Sequence, residues 1–181
     1  MRISEDEMKY LKLLAKAYDT ADEAAAEIIN LTAIQNLPKG TEHFLSDIHG
    51  ENEAFQHILR NASGTLKTKI DENFPELSEA ERKTFATLIY YPDEKLALIK
   101  KKTPNMAAFY KDVLHRLIKL LQITSFKYTR SYVRKQAPPE YAYIIEELLY
   151  GSNRYTVGGL DYRENIIESI IEVGSADDFI K

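Results

Sequence analysis

The stretch that decides how this chain is read is His43–Phe55, HFLSDIHGENEAF. A short apolar run, Phe44-Leu45, leads into Asp47, His49 and Gly50, and an amphipathic segment follows from Glu51. In an extended backbone, residues i and i+2 project to the same side, so Asp47 and His49 can converge on one point. A carboxylate and a neutral imidazole form an oxygen–nitrogen donor pair suited to manganese, iron, zinc or cobalt. Gly50 would let the backbone turn tightly into the next helix, whose N-terminal amides favour an anion. The same residues also read as a polar turn, with Asp47 capping the helix and His49 on the surface. Spacing alone leaves both readings open.

Outward from this stretch the pattern is helical. Ser4-x-x-Glu7, Thr20-x-x-Glu23 and Ser78-x-x-Glu81 are capping boxes, each marking a helix start. Leu11, Leu14, Ala15 and Tyr18 fall on one face of the first helix, and Ile28, Leu31 and Ile34 have core spacing on the second. Leu37–Gly40 (LPKG) stops this helical pair. Thr41–Ser46 is the strand expected to carry the Asp-x-His motif, and a helix is expected from Glu51 to about Asn61. Pro92 restarts a short helix through Leu96 and Ile99. Thr103–Gln136 reads as one long helix or two with a break near Thr124, ended by Pro138-Pro139. Two more helices end at Gly151 and Gly174, and Ser175 starts another that runs out at Lys181 with Phe179 and Ile180 unburied. The fold class is thus mostly α: a helical pair over 1–40, one or two short strands carrying the Asp-x-His loop and then a helix over 41–64, and a helical region over 65–181.

Composition narrows the function classes. The chain has 181 residues, a net charge of -4 and no cysteine. Thiolate metal sites and disulfides are excluded, and a reducing cytoplasm is the expected location. The charge is too mild to mark a nucleic-acid binder. No apolar run approaches the ~20 residues that cross a bilayer. His43, His57 and His115 are further candidate ligands, with a structural role the expected one for each. Lys127–Lys135 (KYTRSYVRK) places Arg130 and Arg134 among aromatics as candidate phosphate contacts, against the alternative of a solvated helix face. Tyr141, Tyr143, Tyr150 and Tyr155 read as core and interface rather than as a sugar-stacking surface.

SDIHG followed by ENEAF resembles the first signature of the calcineurin-like metallophosphatases. More narrowly, Ile28–Gly64, Leu77–Leu96 and Tyr150–Ile170 resemble the bacterial class III fructose-1,6-bisphosphatases. The resemblance implies that Asp47 and His49 are the first metal ligands and that Gly50 is the turn beside them. It further implies hydrolysis of the 1-phosphate of fructose 1,6-bisphosphate by a dinuclear centre, with manganese the expected metal, as a step of gluconeogenesis.

The later superfamily motifs, G-D-x-x-D-R-G and G-N-H, do not occur in this sequence. Gly159-Leu160-Asp161 is the nearest look-alike, and it lacks the second aspartate. The resemblance therefore implies that the chain is an N-terminal portion, that residues 65–181 are a helical insertion, and that the complete protein is an α/β sandwich with helical additions. On this reading no general acid lies here, the remainder of the chain is needed to finish the fold, and this piece alone is inactive. A homo-oligomer stays open. So do two other functions: a non-catalytic helical binding or regulatory module, and a metallophosphatase acting on phosphoprotein or dinucleotide.

Overall fold

A computed structural model describes residues 3–37, 39, 42, 44–61, 64–151, 156–157 and 160–181. The chain divides into two compact units, Met1–Lys39 and Gly40–Lys181.

The first unit holds α1 (Glu5–Leu14) and α2 (Ala21–Gln35). Both open with the capping box their sequences announce. The Ser4 hydroxyl accepts from the Glu7 N–H at 3.2 Å while the Glu7 carboxylate accepts from the Ser4 N–H at 2.7 Å. Thr20 and Glu23 repeat the exchange at 3.1 Å in each direction. Neither helix buries a residue, and Ile28 is 64% exposed despite its core spacing. Periodicity identifies the apolar side of a helix but does not supply the second layer that buries it.

In the second unit the described residues of the expected strand, 42 and 44–46, are not in β structure, and Phe44 is 91% exposed. A strand exists through its ladder of partners, and none pairs with this segment among the described residues. The motif therefore lies on a loop, not on a strand. Then follow α3 (Asn52–Asn61), α4 (Thr65–Asn73), α5 (Glu79–Tyr90), α6 (Pro92–Lys100), α7 (Met106–Ser125), α8 (Arg130–Gln136) and α9 (Ala142–Tyr150). The expected break near Thr124 falls at residues 126–129. After α9, β1 (Thr156–Val157) pairs antiparallel with β2 (Leu160–Asp161) in the register Thr156↔Asp161 and Val157↔Leu160. The helical region expected over 65–181 is thus interrupted by a short strand pair. The signal was Gly158-Gly159 between two short apolar runs, a two-residue hairpin pattern. The chain ends with α10 (Tyr162–Glu172) and α11 (Ala176–Ile180).

Helix α7 is the spine of the second unit. Leu120 packs with Ile70, Phe74, Leu77 and Phe85 of α4, α5 and the turn between them. Val113 packs with Leu88 and Leu96 of α5 and α6. Leu114 and Ile118 pack with Leu148, Ile167, Ile170 and Ala176 of α9, α10 and α11. Serving three clusters from one helix requires apolar residues around most of its circumference, which explains LHRLIKLL in its sequence. Each fully buried aliphatic side chain here contributes roughly 1.5–3 kcal/mol.

The last helix is not loose. Phe179 meets Tyr141 edge-on at 5.0 Å between ring centroids, and Ile180 packs against two of the clusters. The expectation that both are unburied is corrected: they are half-buried, because α11 folds back over α7. No helix among the described residues is long and apolar enough to cross a membrane.

Candidate metal centre

The loop before α3 brings Asp47 and His49 together, though not by the extended geometry that i, i+2 spacing suggests. His49 has φ +49° and Gly50 φ +75°, and the Glu51 N–H donates to the Ile48 carbonyl at 2.9 Å. Two consecutive positive φ values inside one hydrogen-bonded turn are the pattern of a type I′ turn. Glycine tolerates that region freely and histidine is among the side chains that enter it more readily than most. The turn swings the imidazole back so that His49 Nε2 lies 2.9 Å from Asp47 Oδ2, both side chains largely open to solvent. An Asn52 N–H bond to the Gly50 carbonyl at 2.9 Å then delivers the chain into α3.

An oxygen and a nitrogen donor thus share one side of an exposed turn, a fit to one edge of a divalent-cation shell. Among the described residues no group of three or more potential ligands assembles anywhere. A closed site needs four or more donors, so this pair is a partial one.

The other histidines divide. His57 stacks on Tyr91 at 6.0 Å between centroids and 14° between planes, its Nδ1 bonded to the Tyr91 hydroxyl and its Nε2 to the Asn61 amide. His115 Nε2 lies 2.6 Å from Glu164 Oε1, whose other oxygen is 2.9 Å from Lys111 Nζ. Lys111 also reaches Glu168 at 2.9 Å. The Lys111 ammonium donates to Glu164 and Glu168, which holds it well above its ordinary range, so it keeps its charge between the two carboxylates. His43 lies outside the described residues.

The model of the Firmicute fructose-1,6-bisphosphatase family matches residues 9–181. The chain belongs to that family. It is 54% identical over 181 residues to a protein of Clostridium botulinum (strain Hall) named fructose-1,6-bisphosphatase class 3, covering 99% of this chain and 27% of that one. It is also 54% identical over 176 residues to the Clostridium acetobutylicum protein of the same name, covering 97% of this chain and 26% of that one. The chain therefore spans about a quarter of the length of these curated relatives. No solved structure matches it.

Of the remaining candidates, the two arginines are engaged with protein neighbours. The Arg130 guanidinium lies 4.6 Å from the centroid of the Tyr150 ring, and Arg134 pairs with Glu146 at 3.3 Å. Both arginines are exposed, so α8 is tied to α9 while its basic face meets solvent. Tyr141 packs on Phe179, Tyr143 is exposed, and Tyr155 lies outside the described residues. The residue that sequence reasoning missed is Tyr91. Its contact with His57 spans 34 positions, and no local pattern announces it.

Proposed function

We propose that this chain supplies the first ligand motif of a divalent-metal fructose-1,6-bisphosphatase. Membership of the family supports the reaction; the observation that carries the site is the convergence of Asp47 Oδ2 and His49 Nε2 at 2.9 Å on an exposed turn. Asp47 brings charge and a hard oxygen, His49 a neutral nitrogen, and Gly50 the positive φ that lets the two meet. Manganese suits this donor set, and a pair of such cations, when bound, polarises phosphoryl oxygens and makes water a competent nucleophile at neutral pH.

The substrate on this reading is fructose 1,6-bisphosphate, released as fructose 6-phosphate and phosphate. The other ligands, the general acid and the α/β sandwich belong to the three-quarters of the relatives' length that this chain does not span. Residues 65–181 form a helical addition to that sandwich, with Arg130 and Arg134 as its candidate phosphate contacts. Phosphate release by the full-length protein with manganese tests the reading. Turnover of fructose 1,6-bisphosphate in preference to a phosphopeptide and a dinucleotide is expected. Turnover of only the latter two, or of none, would overturn it.

A further inference from the structure

Helix α3 carries the Asp47–His49 turn at its N-terminus, yet none of its residues is fully buried and its apolar positions Ile58 and Leu59 are exposed. Its orientation against the rest of the unit therefore depends on few contacts. Among the described residues, every polar or ring contact from an α3 side chain to a residue outside α3 runs to Tyr91, between α5 and α6. The Arg60 guanidinium lies 5.0 Å from the centroid of the Tyr91 ring, and the His57 ring stacks beside it and bonds its hydroxyl. His57, Arg60 and Asn61 sit at i, i+3 and i+4, one face of the helix. The Asn61 amide nitrogen lies against His57 Nε2, so both ring nitrogens are engaged, one within α3 and one by the Tyr91 hydroxyl.

Tyr91 is itself held by the backbone. Pro92 follows it, and a residue before proline is pushed out of the helical region. Tyr91 accordingly ends α5 and precedes α6 with φ -136° and ψ 64°. Its N–H still bonds the Thr87 carbonyl at 2.9 Å, and its own carbonyl accepts from Lys95 at 3.0 Å. The break between two helices packed on α7 thus fixes the backbone from which the phenol projects. From His57 the signal has only about 7.5 Å of rigid helix to travel back to Asn52, where the Asp47–His49 turn ends.

We propose that Tyr91 is a positioning residue for the metal-binding turn: it clamps α3 to the α5–α6 junction and so holds Asp47 and His49 where the remaining ligands can meet them. This rests on the reading of Asp47 and His49 as ligands. Tyr91→Phe removes the hydroxyl and keeps the ring under Arg60; His57→Phe removes the same bond from the other side and keeps a ring beside Tyr91. In the full-length protein, each substitution should weaken Mn2+ binding by about 3- to 10-fold, the range set by one exposed hydrogen bond. The double variant should be no weaker than either single one, as expected for partners in a single interaction. Amide exchange in 52–61 should speed up while that of α7 stays unchanged. A merely structural tyrosine would lower the thermal midpoint and leave Mn2+ affinity alone. Wild-type Mn2+ affinity in both variants, or additive losses in the double one, would overturn the proposal while Asp47→Ala still abolishes binding. Unchanged binding in Asp47→Ala would instead overturn the ligand reading itself.

Discussion

The Tyr110 hydroxyl donates to Asp177 Oδ1 at 2.6 Å, joining the N-terminal part of the spine helix α7 to α11, and Lys100 bonds the other carboxylate oxygen. Burial raises the Asp177 carboxyl, but the bonds from Lys100 and Tyr110 outweigh it and hold it below its ordinary value of 3.8. A carboxyl depressed by folding is protonated less readily in the native than in the unfolded state. Its stabilisation is complete above the unfolded value and is lost as pH falls through the lower native one. Unfolding free energy should therefore fall on acidification below about pH 4. Asp177→Asn should cost roughly 1–2 kcal/mol at neutral pH and flatten part of that acid slope. Urea midpoints across this range check it; an unaltered slope in the variant would remove Asp177 from the account.

Core and periodicity make opposite predictions for two isoleucines. Ile167 is 0% exposed between α7, α9 and α11, whereas Ile28 on α2 is 64% exposed. Ile167→Ala should lower the unfolding free energy by about 2–5 kcal/mol through the lost contacts and the cavity left behind. Ile28→Ala should stay within about 0.5 kcal/mol. Equal losses in denaturant titrations would show that the α2 stripe is covered after all.

Gly50 tests the turn. A Cβ placed there meets nothing within 4 Å, so only the φ of +75° opposes a side chain. Gly50→Ala should weaken Mn2+ binding about tenfold, as a residue forced into the left-handed region costs about 1–2 kcal/mol. Gly50→Asn should lose less, since asparagine enters that region more readily. Titration of both full-length variants measures the difference; equal affinities would mean that the turn is not needed for binding.

Local chemistry made much of the fold legible. The three capping boxes form at Ser4, Thr20 and Ser78 because the partners lie within one helical turn of each other. The Asp47–His49 pair was legible for the same reason, although a left-handed turn at His49 brings the two together instead of an extended strand. What escaped depends on distant partners. The apolar residues at 44–46 suggested a strand, yet a strand is defined by a neighbour that local sequence cannot name. The start of helix α4 carries no side-chain cap, and the structural role expected of His57 comes without a named partner because Tyr91 lies 34 residues away. Exposure of Ile28 and half-burial of Phe179 likewise depend on which elements pack nearby.

Calorimetric titration of Mn2+ into the full-length protein and its Asp47→Ala variant decides whether Asp47 and His49 are the metal ligands proposed here. Tight Mn2+ binding by the full-length protein, lost in the variant together with phosphate release from fructose 1,6-bisphosphate, is the expected result. An unchanged isotherm and unchanged turnover in Asp47→Ala would contradict it.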